Sequence, residues 1–282
     1  MISMHTQSAQ PMPALFISHG SPDTAIADSE AAAWLKQMAT DLPRPRAIVV
    51  ASAHFEVSSG VAVSADLHPE TIHDFGGFAP ELYAMQYPAP GEPDLARRIV
   101  GDLQAAGFAA KAMERRGFDH GVWVPLKLAY PGADIPVVSV SVDPMKGPDH
   151  HFRLGQALAG LGAEDVLVIG SGSFTHNLGE AFKLLRAGIR TADVPEWVES
   201  FTGWMNAKLA ADDVEALLDY RRSAPFAAKN HPTDEHLLPL YVAMGAAGEA
   251  ASARLVHDSA EFGVLAMTMW RFDPAIAAVA AG

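Results

Sequence analysis

The sequence predicts a single α/β domain: a mostly buried central β-sheet flanked by helices, with a metal site at the C-terminal ends of the strands. Three observations predict it. Short, nearly continuous apolar runs alternate with amphipathic stretches along all 282 residues, the pattern of strands covered by helices on both faces. No repeat, low-complexity tract or linker interrupts that alternation, so one domain is expected over 14–282, behind a flexible leader at 1–13. Histidines fall where apolar runs end, and ligands of open α/β sheets bind outside those ends.

Ala14–Ser18 reads as a short buried strand ending in His19-Gly20-Ser21-Pro22. A helix follows from Glu30 to about Leu42, with Trp34, Leu35 and Met38 at helical spacing on one face. Ala47–Ala53 is a second strand, ending in His54, and Val61–Ala65 a third. The segment from His68 to Gly91 is long and irregular, and loops of that length in a compact domain are often functional. A helix at Pro93–Ala106, a strand near Ala110–Glu114, the turn Gly117–Gly121 and a short helix carrying Trp123 to Tyr130 come next. Strands at Val137–Val142 and Val166–Gly170 bracket a helix at Asp149–Leu161, on which His150 and His151 read as surface residues. The second of these strands runs into Ser171-Gly172-Ser173-Phe174-Thr175-His176-Asn177. Helices are expected at Leu178–Ala187, Pro195–Ala210, Val214–Arg221 and from His236 to about Ala247, with closing strands at Arg254–His257 and Val264–Arg271.

Composition narrows the chemistry. The chain is 49% hydrophobic and 19% charged, ordinary for a globular protein. There is no cysteine, which excludes disulfides, thiolate nucleophiles and iron–sulfur clusters. Any metal must be held by His, Asp or Glu, a donor set suited to Fe(II), Mn(II) or Zn(II). A net charge of -13 argues against nucleic acid as a partner. No apolar run reaches the roughly 18 residues that cross a bilayer, and the N-terminus has neither a basic start nor an apolar core, so no membrane is implied and a cytoplasmic location is expected.

His19, His54 and His176 each follow an apolar strand closely enough to converge on one point, although a single histidine there often serves as a loop residue or cap. A neutral imidazole is a good ligand for divalent metals. His236, at the start of a helix, faces either the loop before it or solvent. Asp234 and Glu235 suit helix caps or first-turn acids. Asp119 either orients His120 through a hydrogen bond or caps the helix that follows. The Gly170-Ser171-Gly172-Ser173 run lacks the spacing of a dinucleotide loop and of a nucleophile elbow.

Five segments in order resemble the class III extradiol ring-cleavage dioxygenases, and within them the DOPA 4,5-dioxygenase branch. They are Phe16–Pro22, Ser52–Glu56, Phe118–Leu126, Gly170–Asn177 and His231–Leu240, and the likeness runs from about residue 14 to 272. The resemblance implies a non-haem Fe(II) site with His19 and His54 as ligands. It implies His236 as the third ligand, where the broader class uses a glutamate; Glu235 is the neighbouring alternative. It further implies His176 as catalytic acid–base and His120 as a substrate-pocket histidine. A catechol, DOPA-like, and O₂ are the expected small-molecule partners, with Zn(II) an ion that a purified sample can also carry. A zinc-dependent hydrolase or a non-catalytic binding protein on the same scaffold are the competing readings. The oligomeric state, the cleavage position and the particular catechol are not legible.

Overall fold

A computed structural model describes residues 11–189 and 191–275. Residues 1–10 of the expected leader lie outside it. From Met12 on the chain is packed: Met12 is buried and its N–H donates to the Gly162 carbonyl at 2.9 Å.

The strands are β1 (Ala14–Ser18), β2 (Ala47–Glu56), β3 (Val61–Ser64), β4 (Ala110–Met113), β5 (Val137–Val142), β6 (Val166–Gly172), β7 (Ser252–His257), β8 (Ala260–Glu261), β9 (Leu265–Ala266) and β10 (Met269–Asp273). Eight of them form one mixed sheet in the order β4-β3-β5-β2-β6-β1-β10-β7, and β8 pairs with β9 in a small ladder of its own. The four central strands β5, β2, β6 and β1 are parallel neighbours, and every residue of β1, β5 and β6 is buried. That accounts for their mostly apolar character, interrupted only by small buried serines such as Ser139 and Ser141. β10 lies antiparallel to β1, and β3 antiparallel to β5.

Helices cover both faces. On one side Leu95, Ile99, Leu154, Phe201, Met205 and Val242 pack against alternate residues of the strands; on the other Leu35, Met38, Val122, Trp123 and Leu126 do so. Burial of this apolar area, at about 25 cal/mol per Å², is the main stabilising term.

Several expected elements end elsewhere, each for a local reason. The segment expected as one helix over Val214–Arg221 is two, Val214–Leu218 and Tyr220–Ser223. Asp219 leaves helical geometry between them, and its carboxylate accepts from Arg222 and Ser223. The last expected strand breaks between β9 and β10, where the Met267 N–H turns to Ser259 O and Thr268 Oγ1 to Asp258. The helix expected from His236 begins at Leu238, with Pro239 in its first turn; His236 lies in the turn before it. His151, expected on the surface, is fully buried. Its Nδ1–H donates to Gly147 O (3.0 Å) and its Nε2 accepts the Asp143 N–H (3.1 Å), which ties the loop after β5 to the helix Pro148–Gln156. Among the described residues no helix is long and apolar enough to cross a membrane.

Candidate active site

The parallel run of β5, β2, β6 and β1 brings four C-terminal strand ends to one edge of the sheet. His19 is the first residue after β1, and its N–H donates to Gly172 O at 3.0 Å. His54 stands inside β2, in the stretch where pairing with β5 slips between Ala51 and Glu56. An irregularity of that kind breaks the in–out alternation and re-aims a side chain. His236 comes from the opposite side of the sequence. Its turn lies directly on β6, where a Cβ added to Gly172 would fall 2.1 Å from the His236 carbonyl oxygen; that oxygen also accepts the Ser173 N–H at 2.8 Å. Gly170 and Gly172, at the end of β6, therefore serve close packing of backbone on backbone.

The three imidazoles converge through one type of atom. Nε2 of His54 is 3.1 Å from Nε2 of His19 and 3.3 Å from Nε2 of His236. Outward, the Nδ1 atoms of His19 and His236 are engaged. Ser171 Oγ gives its proton to Gly121 O (2.5 Å), so it accepts from His19 Nδ1–H at 3.0 Å. His236 Nδ1–H donates to Glu235 Oε1 at 3.0 Å, and His54 Nδ1 lies 3.8 Å from Asp74 Oδ2. With Nδ1 carrying the proton, the Nε2 lone pairs of His19 and His236 face the centre, as metal-ligating histidines do. Burial, reinforced by the neighbouring histidines, holds His19 and His236 well below the usual imidazole pKa, and His54 is lowered to about 3. The unprotonated state is the one that binds metal. Buried, convergent, unprotonated nitrogens with outward anchors fit a divalent cation of the imidazole-binding kind. Glu235, the carboxylate alternative for third ligand, lies behind His236 and holds its Nδ1.

Two further histidines stand at the rim. His176, after β6, stacks on His236 with ring centres 3.4 Å apart and 13° between planes. Its backbone is pinned by an N–H bond to Asn230 O (2.9 Å), while its Nδ1 is 3.9 Å from Glu235 Oε1, too long for a hydrogen bond. Burial, with His231 nearby, lowers it to about 3, so it is a neutral base at physiological pH. His120 opens the helix His120–Ala129, its ring centre 3.9 Å from that of His54 and 5.4 Å from that of His19.

Asp119 plays neither of the parts expected of it. It sits at the N-cap without bonding the helix N–H groups, and it does not touch the His120 ring. Its buried carboxylate accepts from Ser52 Oγ (2.6 Å) and pairs with Arg116 (2.6 Å). Ser52 Oγ in turn accepts the His54 N–H at 3.2 Å, and Arg116 reaches His54 O at 3.3 Å. Burial raises the Asp119 pKa, opposed by Arg116 and Ser52. This network clamps the irregular end of β2. The partner of His120 is Asp74, 46 residues away. Neither Asp74 nor Ser171 carries a local signal in the sequence, because their roles arise only when separate segments meet.

Histidines outside the cluster have structural duties. His231 is fully buried and donates Nε2–H to Phe174 O (2.9 Å), fastening the 231–236 turn to the segment after β6. His73 bonds Met85 O at 3.0 Å. Of the loop aromatics, Phe75 meets His120 edge-on at 6.0 Å, whereas Tyr87 is buried and anchors the loop through its hydroxyl to Tyr130 O.

Comparison with known proteins places this architecture. The family described as the catalytic LigB subunit of aromatic ring-opening dioxygenase matches residues 12–271. The chain is 41% identical to the 4,5-DOPA dioxygenase extradiol of Beta vulgaris, over 91% of this chain and 95% of that one. It is 38% identical to the enzyme of the same description from Escherichia coli K12, over 92% and 94%. The crystal structure of an uncharacterized Escherichia coli K12 protein superposes with a TM-score of 0.75 at 33% identity, covering 92% of this chain and 99% of that one. The chain belongs to the LigB family of class III extradiol dioxygenases and is an aromatic ring-opening dioxygenase, an oxidoreductase that takes a small aromatic substrate and O₂ at a metal centre.

Proposed function

We propose that the protein is a non-haem Fe(II)-dependent extradiol dioxygenase of a catechol, DOPA-like, with His19, His54 and His236 as metal ligands, His176 as acid–base and His120 as a substrate contact. The observation that carries the reading is the convergence of three Nε2 atoms, 3.1 and 3.3 Å apart, with two more imidazoles on the rim. The relatives supply the substrate class by their description as 4,5-DOPA dioxygenases.

His19, His54 and His236 would hold the metal, which would supply Lewis-acid chemistry that lowers the pKa of a catechol hydroxyl. The protein's part is to bind, orient and move protons. His176 lacks a hydrogen bond at Nδ1, which leaves that nitrogen open to take a proton from a catechol hydroxyl and to return it later to a leaving oxygen. Its stacking on His236 fixes the plane in which it does so. His120 and the Phe75 edge flank the same opening and orient the ring. His19, His120 and His236 are buried, which limits water beside them.

The test is dioxygen uptake. Protein stripped of metal and reloaded anaerobically with Fe(II) is expected to consume O₂ with DOPA and related catechols and to give a yellow ring-opened product. The same protein loaded with Zn(II) is expected to consume none. Iron-loaded protein that leaves every catechol untouched would overturn the reading.

A further inference from the structure

Asp74 belongs to the irregular segment between β3 and β4, and it reaches the cluster from outside every strand and helix. Its two oxygens take both outward donors of His120. Oδ1 accepts the backbone N–H at 2.9 Å and Oδ2 accepts from Nδ1 at 3.0 Å. The same Oδ2 lies 3.8 Å from Nδ1 of His54. An ionised carboxylate only accepts, so the proton on this side of the His120 ring belongs to Nδ1. The opposite nitrogen, Nε2, has no protein partner among the described residues, and the ring lies against His54 and edge-on to His19.

We infer that Asp74 is a positioning residue: it holds His120 as the Nδ1–H tautomer, so that Nε2 presents a hydrogen-bond acceptor to a hydroxyl of the aromatic substrate. The assignment rests on the reading of the histidine cluster as the ring-cleavage site. It gives His120 a defined part. A tautomer with the proton on Nε2 would donate to the substrate oxygen and compete with the oxygen's own proton. Held the other way, the imidazole accepts the hydroxyl proton in a hydrogen bond and fixes the rotation of the ring. It also explains why a long loop approaches the site at this point. The carboxylate comes with Phe75 next to it, whose ring meets His120 edge-on at 6.0 Å.

The substitution that isolates the idea is Asp74→Asn. It keeps shape and volume but has one acceptor where two are needed. Whichever way the amide is turned, its NH₂ meets either the His120 backbone N–H or Nδ1–H. Relief comes from moving the ring proton to Nε2. Nitrogen NMR of ¹⁵N-histidine-labelled, metal-free protein reads this directly, with His120→Gln used to assign the signals. In the unsubstituted protein His120 is expected to show a protonated Nδ1 and an unprotonated Nε2, and in Asp74→Asn the reverse. With metal and catechol, Asp74→Asn is expected to lose about 10–100-fold in kcat, with KM and metal content little changed and Asp74→Glu recovering part of the loss. Protonated Nε2 in the unsubstituted protein, as tautomer or as imidazolium, would overturn the inference whatever the activity. So would an Asp74→Asn enzyme with full kcat. Correct tautomers in a protein that consumes no O₂ would leave Asp74's role intact and sink the ring-cleavage reading instead.

Discussion

Asp74 and Glu235 each lie beside one histidine of the inner three and one of the rim. Asp74 bonds the rim histidine, His120, at 3.0 Å and stands 3.8 Å from the inner one, His54. Glu235 does the reverse: it bonds the inner His236 at 3.0 Å and stands 3.9 Å from the rim His176. The tight contact fixes a tautomer and the long one leaves Nδ1 unengaged. One arm therefore immobilises its rim histidine, as orientation of a substrate requires. The other leaves its rim histidine free at Nδ1, as proton exchange requires. On the proposed roles, two similar carboxylate–histidine pairs would serve two jobs through less than 1 Å of difference in each contact.

The comparison can be broken at its strongest point first. His236→Ala removes one of three inner nitrogens and the anchor of Glu235; metal content by elemental analysis is expected to collapse, and turnover with it. Retained stoichiometric metal would show that the inner set is not the ligand set. Next comes His176→Ala, for which loss of about 10²–10⁴-fold in kcat is expected, the usual worth of a general acid–base, with metal content unchanged. Loss of the metal as well would move His176 from the rim into the ligand set. Glu235→Gln retains an acceptor but loses the charge behind His236. Metal affinity by chelator competition is expected to weaken about 10–100-fold, and an unchanged affinity would make that arm ornamental.

The smallest effect concerns histidines outside the cluster. His151 and His231 are buried, and burial lowers each to about 4 against an ordinary 6.5. Between those values the unfolded chain binds a proton that the folded protein does not, so stability falls as pH drops from 6.5 towards 4. The slope is about 1.4 kcal/mol per pH unit for each histidine. Urea midpoints at pH 7 and pH 5 check this, and His151→Gln is expected to flatten the difference. Equal midpoints in the unsubstituted protein would contradict it.

The apolar strands and the histidines at their ends were legible because both signals are local: a run of β-branched residues and the residue that follows it. His19, His54 and His176, the three histidines of the strand-end argument, lie in one cluster, and His120 and His236 join it from a helix start and from the turn before another helix. Asp74 was not legible as the partner of His120, since only a tertiary approach across 46 residues makes it one, and the adjacent Asp119 was the natural guess. The burial of His151 was hidden by its place on a helix with a polar face. The slip in β2 at His54 was hidden too, because pairing register belongs to two strands at once.

The irregular end of β2 has a last consequence. His54 and His236 are 182 residues apart in the chain, yet their Nε2 atoms are 3.3 Å apart. A metal held as proposed would close a loop of that length, its closure entropy met by the folding of the whole sheet. No fragment lacking either end holds the ion as the intact chain does. Occupancy then reports on the integrity of the entire domain: free metal at 100 times its dissociation constant adds about 2.7 kcal/mol to global stability, and a proteolytic nick in any loop between the two residues turns an intramolecular clasp into a meeting of two fragments.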